Sequence, residues 1–317
     1  MITTINAGRI AFFTFLILAT TFSSVAQIGL RRAVDFDADN KADFLIFRPT
    51  DSSWYILKSA GGITVQRWGI ADEDYLTPGD YDGDGVADLS VWRDTDGTWY
   101  RLNSQNSTIT AQQWGLTGDE PVARDYDGDG RTDLAVVRKS GGFLTWFIFF
   151  VATNNLTSQQ WGLEGDFVAP GDYDGDQSWD LAVYRPGATG SSLASFYILN
   201  AQGIRVQQWG LSNDLVVPGD YDGDGKTDFA VVREGSTPNS ILEWHIFGSL
   251  GQIQVFNWGL TGSDLTVQND YDGDGRTDVA VWRNTDGSFY MLNSSGTINI
   301  MSWGLPNDIP IANFDTH

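Results

Sequence analysis

The chain has no cysteine among its 317 residues, so no disulfide can brace the fold and no lipid can be attached through a cysteine at a mature N-terminus. Histidine is nearly absent too, at 2 residues, and neither His245 nor the terminal His317 stands in a pattern that suggests acid–base work. A cysteine nucleophile and a Gly-x-Ser-x-Gly elbow are both missing. Positive charge is scarce. Against 41 acidic residues there are 19 Lys and Arg, a net charge of −22, which leaves no basic patch for phosphate contact and excludes nucleic-acid binding. Long apolar runs are lacking beyond the N-terminus, because the stretch 143–152 around Trp146 is too short to span a bilayer and reads as a buried strand.

The first 26 residues differ from the rest. Arg9 precedes the apolar run 10–22, and Ser24-Val25-Ala26 offers small residues for cleavage, the plan of a secretory signal peptide with a mature chain from about Gln27. Secretion to the exterior or cell surface is therefore expected, with millimolar calcium available there.

What the chain does have is repetition. A nine-residue acidic loop returns six times, starting at Asp35, Asp80, Asp125, Asp172, Asp220 and Asp270, at intervals of 45, 45, 47, 48 and 50 residues. Every copy keeps aspartate at positions one, three, five and nine. The sets are Asp35, Asp37, Asp39 and Asp43; Asp80, Asp82, Asp84 and Asp88; Asp125, Asp127, Asp129 and Asp133; Asp172, Asp174, Asp176 and Asp180; Asp220, Asp222, Asp224 and Asp228; and Asp270, Asp272, Asp274 and Asp278. Carboxylates so closely spaced repel one another unless a cation lies among them, and hard oxygen donors select Ca²⁺. A single such loop would be read as a solvated turn. Six complete copies favour a metal, up to six Ca²⁺ in all, whose 12 positive charges would bring −22 to −10.

Position six is glycine in four copies, as a chain wrapping an ion requires; Asn40 and Gln177 replace it, so the first and fourth sites are expected to be the less secure. An EF-hand would need glutamate at position twelve between helices, but that place holds Ile46, Val91, Val136, Val183, Val231 and Val281, and the chain should leave each loop as a strand. The Gly225-Lys226-Thr227 that ends loop five mimics a phosphate-binding loop with the wrong glycine spacing.

Superimposing the copies gives four strands per unit: one before the loop, one after it and apolar on both faces, a third with an aromatic pair such as Trp99-Tyr100, and a fourth ending in Trp-Gly. Doubly covered strands in units of about 45 residues predict an all-β propeller of six four-stranded blades, with seven as the alternative. The repeats run about 30–75, 76–120, 121–167, 168–214, 215–264 and 265–305 within one domain, 27–317. Residues 306–317 copy strand one again and should close the ring against the N-terminal blade. A recurrent arginine after strand two (Arg48, Arg93, Arg138, Arg185, Arg233, Arg283) predicts a repeated contact, either stacking on a Trp ring or pairing with a loop carboxylate.

The Asp-x-Asp-Gly-Asp-Gly-x-x-Asp loops, with the segment from Trp209-Gly210 to Pro218-Gly219 before the fifth, resemble the FG-GAP or VCBS-type repeats, related in plan to the propeller of integrin α-subunits. The resemblance covers residues 30 to 315, with Trp where the family usually has Phe. It implies that each loop joins the first two strands of a blade and binds calcium structurally. Function is left among three classes: an adhesion or recognition module for a glycan or protein partner, probed on the face opposite the loops at 187–194 and 235–241; a polysaccharide lyase or hydrolase, or an accessory part of one; and a structural surface protein. The first is the expectation, as a monomer without catalytic residues.

Overall fold

In a computed structural model, described for residues 33–312, six antiparallel four-stranded sheets account for all the regular structure. The signal peptide expected at 1–26 lies outside the described residues. Blade 1 contains β1 (Phe44–Arg48), β2 (Ser53–Leu57) and β3 (Ile63–Arg67); blade 2 contains β4 (Asp74–Leu76), β5 (Leu89–Arg93), β6 (Thr98–Leu102) and β7 (Ile109–Gln113). Blade 3 contains β8 (Glu120–Pro121), β9 (Leu134–Ser140), β10 (Phe143–Phe150) and β11 (Asn155–Leu163); blade 4 contains β12 (Phe167–Val168), β13 (Leu181–Arg185), β14 (Leu193–Asn200) and β15 (Gly203–Leu211). Blade 5 contains β16 (Leu215–Val216), β17 (Phe229–Arg233), β18 (Ile241–Phe247) and β19 (Ile253–Leu260); blade 6 contains β20 (Asp264–Thr266), β21 (Val279–Arg283), β22 (Ser288–Leu292) and β23 (Ile298–Ser302). The fold is an all-β propeller of six blades, with no helix among the described residues and so none able to cross a membrane.

The strand after each loop is buried on both faces, as its run of β-branched and small residues requires: Leu134, Ala135, Val136 and Val137 are each 0% exposed. One face packs against the preceding blade and the other against the following one, Leu134 and Val136 with Trp92 and Trp99 and Ala135 and Val137 with Val183, so the core forms six clusters around the ring. Tryptophans tie neighbours together. The indole N–H at the end of each outer strand donates to a strand-three carbonyl of the following blade: Trp68 to Tyr100, Trp114 to Phe147, Trp161 to Tyr197, Trp209 to His245, Trp258 to Tyr290, and Trp303 back to Tyr55. This last bond makes the sequence of contacts circular.

Closure is completed as the C-terminal copy of strand one suggests. The final strand, β24 (Ile309–Pro310), pairs antiparallel with β1, Ile46 opposite Pro310 and Phe47 opposite Ile309, and becomes the innermost strand of blade 1. Ile311 is buried and its N–H bonds the Leu45 carbonyl at 3.0 Å. Blade 1 is therefore built from both ends of the chain.

The recurrent arginine has a different role from either expectation. Each one clasps, in a two-point grip, the aspartate that begins the innermost strand of its own blade: Arg93 with Asp74, Arg138 with Asp119, Arg185 with Asp166, Arg233 with Asp214, Arg283 with Asp264, and Arg48 with Asp308 across the closure. These carboxylates belong to the turn between blades, outside the acidic loops. In five blades the guanidinium also covers a strand-three Tyr or Phe, as with Arg93 over Tyr100 at 4.5 Å and Arg138 over Phe147 at 4.5 Å; blade 5 has His245 at that place. The aspartate also accepts a backbone N–H of the turn, so it fixes the path of the chain from one blade to the next. Replacing Arg138 by Ala leaves a buried carboxylate with its turn bonds only; because the arginine is about a third exposed, the expected loss is about 2 kcal/mol. Chemical denaturation should show that loss with calcium uptake unchanged, and a silent mutant would contradict this role.

Candidate metal centres

Loops two to six each join the innermost strand to the second strand of a blade and loop one leads into β1, and backbone bonds from loop to loop keep all six on one face of the propeller. The loop's shape comes from its first and last aspartates. In all six copies the carboxylate at position one accepts the backbone N–H of positions four and six: Asp80 from Gly83 at 2.6 Å and Gly85 at 2.9 Å, Asp220 from Gly223 at 2.7 Å and Gly225 at 2.9 Å. These bonds force position six into the left-handed region, φ 88° at Gly85. Asn40 and Gln177 adopt the same region, with φ 65° and 78°, and make the same bond to Asp35 and Asp172 at 3.0 and 2.9 Å. The departures at position six thus leave the loop backbone intact.

Position nine staples the loop to its blade. Asp88 accepts the N–H of Tyr81 and that of Ser104 beyond strand three, and Asp43, Asp133, Asp228 and Asp278 repeat the pattern with Ser59, Val151, Ser249 and Ser294. Position five caps position seven, as Asp84 does for Val86 at 2.8 Å, and takes a serine hydroxyl in several copies. Position three has the fewest partners. A buried oxygen of Asp37, of Asp174 and of Asp222 has no hydrogen-bond partner, and Asp222 is only 8% exposed.

Six carboxylate clusters result, each with ligand oxygens within 4.8 Å of one another. Positions one, three and nine converge in Asp80, Asp82 and Asp88; Asp125, Asp127 and Asp133; Asp172, Asp174 and Asp180; and Asp220, Asp222 and Asp228. In the first loop the converging set is Asp35, Asp37 and Asp39. The sequence assigned all four positions to the metal; in these four loops positions one, three and nine lie closest together, and position five accepts the N–H of position seven.

Burial without a counter-charge raises the carboxyl pKa values. Desolvation is the leading cause, the neighbouring aspartates add to it, and the backbone N–H bonds offset only part: Asp88 rises to about 6, Asp278 to about 7, and Asp133, Asp180 and Asp228 to about 8. A lone-pair-rich, proton-holding cluster with an orphaned buried oxygen fits a hard divalent cation, and Ca²⁺ in particular, which takes six to eight oxygens at flexible geometry.

The loops are also joined to one another. The N–H of position eight donates to the position-one carbonyl of the preceding loop: Ala87 to Asp35, Thr132 to Asp80, Trp179 to Asp125, Thr227 to Asp172, Thr277 to Asp220, and Ala42 to Asp270. Position eight packs against the residue just before the preceding loop, which explains an odd substitution. A Cβ on Gly79, Gly171 or Gly219 would fall within 2.9 Å of Thr132, Thr227 or Thr277, so glycine and threonine go together. Where that glycine becomes Arg124, the threonine becomes Trp179, and the guanidinium lies 5.1 Å from the indole.

On the opposite face the sequence singled out the loops at 187–194 and 235–241. Both are tied down by matching bonds, Thr189 with Ser192 at 2.8 Å and Thr237 with Ser240 at 2.9 Å, and each folds over the next turn. A cavity of ≈ 200 Å³ instead runs along the central channel, lined by innermost strands through Tyr75, Glu120, Pro121, Val168 and Ile309 and reaching Pro78, Arg124 and Pro170 beside the acidic loops. Tyr75 is 45% exposed and its ring leans on Trp92, with centroids 5.6 Å apart. The sequence contained no signal for this pocket, because its walls come from four separate repeats.

Residues 80–136 match the model of the FG-GAP-like repeat family. No curated protein matches the chain in sequence. Among solved structures, TolB from Acinetobacter baumannii is similar at a TM-score of 0.56 and 13% identity over 85% of this chain, which spans 63% of the TolB chain. A triple arginine-to-alanine mutant of AofleA from Arthrobotrys oligospora is similar at a TM-score of 0.51 and 13% identity, covering 90% of each chain. At such identity the likeness is one of fold.

Proposed function

We propose that this chain, an FG-GAP-repeat β-propeller, is a secreted, calcium-stabilised recognition module that binds a glycan or protein partner in its central channel. The cavity in the central channel carries the reading. The loop carboxylates are committed to holding loops, whereas the channel cavity combines a half-exposed aromatic ring with a carboxylate, Glu120, and apolar walls. Calcium in the loops would add no chemistry of its own. It would supply charge balance that lets positions one, three and nine stay ionised together, and so hold the ring rigid.

A binding role is favoured over a catalytic one because the remaining buried aspartates, such as Asp119 and Asp166, are engaged by arginines and lack the freedom of a general acid. Glu120, on the channel wall, is not held by an arginine; its nearest cation is Lys139 at 3.4 Å. The reading is tested with glycan arrays and immobilised extracellular proteins, in calcium and in EDTA. Tyr75→Ala and Glu120→Gln should each weaken capture at least tenfold without changing the melting temperature. Capture indifferent to both changes would refute the site, and release of reducing or unsaturated sugar ends would establish an enzyme instead.

A further inference from the structure

The six loops are alike in their aspartates but differ in the charge that the next loop lays over them. Position seven of each loop reaches back onto position four of the preceding one. A Cβ on Gly83 would stand 2.7 Å from Arg131 Nε, one on Gly223 2.9 Å from Arg276 Nε, one on Gly175 3.1 Å from Lys226 Cε, and one on Gly273 3.1 Å from Lys41 Cε. Glycine at position four is thus a seat for a neighbouring basic side chain. Loop three has the seat without the charge, since Gly128 faces Ser178 at 2.9 Å. Loop one has neither: its position four is Ala38 and position seven of the following loop is Val86.

Two loops hold a second cation. Arg205 lines one hollow with Asp174 and Lys226, beside loop four. Arg101, in a place that other blades give to Ile or Met, lies 5.3 Å over the Tyr81 ring behind loop two, and the Asp88 charge is among those acting on it.

We infer that the basic side chains laid over position four divide the six sites into classes: loops one and three, which receive none from the following loop, take calcium most tightly, loops five and six bind less tightly, and loops two and four bind most weakly. This rests on the calcium reading and revises its order, because loop one, suspect in the sequence for Asn40, joins the tight class. Loop four stays weak, for Lys226 and Arg205 instead of Gln177. The clusters point to an ion independently of their acidity through the orphaned oxygen of Asp222, nine-tenths buried in loop five. A single fixed charge several ångströms from a divalent ion near the surface changes affinity by about tenfold, and less as salt rises.

The test is calorimetric titration of the full chain with CaCl₂, alongside native mass spectrometry. The wild type should fill two sites about tenfold ahead of the rest. Arg131→Val, which copies Val86, should tighten one further site, and adding Asp82→Asn should abolish that site. The converse change, Ala38→Gly with Val86→Arg, should remove one of the two tight sites. Six ions bound in one uniform class, unmoved by Arg131→Val, would overturn the ordering and leave the calcium reading standing. No uptake at all would overturn both.

Discussion

Deleting residues 306–317 is expected to lower the melting temperature by about ten degrees or more. The deletion removes β24, leaving β1 as an exposed innermost edge and blade 1 with three strands. It strips Arg48 of Asp308, whose two bonds at 2.8 and 2.7 Å form the clasp of that blade. It also uncovers the site of Ile311, a side chain worth about 2 kcal/mol of burial. With the strand's hydrogen bonds at about 1 kcal/mol each, the loss is on the order of 5 kcal/mol, and a domain of this size shifts by roughly 2–4 °C per kcal/mol. The shift should be read by differential scanning calorimetry. Trp303, left in place, would still bond Tyr55, so the ring should loosen at one seam before the other blades melt. An unchanged melting temperature would mean that the ring is held without its closing strand.

The second large effect is a reversal of pH dependence by metal. A carboxyl whose folded pKa lies above its unfolded value favours the fold when protonated, and that contribution is lost as pH rises through the folded pKa. Asp43, Asp220 and Asp278 titrate near 7, and Asp133, Asp180 and Asp228 near 8, all by burial first and neighbouring charge second. In EDTA, therefore, stability should fall steadily between about pH 5 and pH 8. With saturating calcium the sign inverts, because an ion binds the ionised form and affinity grows as the protons leave. Melting curves at pH 5, 6, 7 and 8, each with EDTA and with calcium, should diverge by ten degrees or more at the alkaline end. Parallel curves would show that the clusters carry no ion.

Much of this fold is legible in the sequence because each repeat states it again. The strand after each loop, Leu134 to Val137 for instance, must be covered on both sides, and only packing between blades provides that. Trp161 and its five counterparts mark the end of each unit, and the terminal Ile309-Pro310 announces closure. What stayed hidden lies between repeats. Arg93 and Asp74 stand 19 residues apart, the aspartate inside a turn whose composition varies from copy to copy, so the clasp cannot be picked out until the turn is folded. The contact of Arg131 with Gly83 joins two loops that the sequence presents as independent. The cap that position five places on position seven is hidden for a related reason: its carboxylate is as regular as the others, and an Asx-type bond calls for aspartate there as much as a metal does. The channel pocket has no linear trace, since one innermost strand shows its pattern for too few residues to tell which side chains face the axis.

The central claim is that six carboxylate clusters hold calcium and that the ring depends on it. Elemental analysis of protein dialysed against calcium, paired with its melting temperature before and after EDTA, tests this most directly. About six calcium ions per chain, one for each cluster, and a melting temperature that falls on chelation and recovers on adding calcium back, are the predicted result. Fewer than four ions, or a melting temperature indifferent to EDTA, would contradict it.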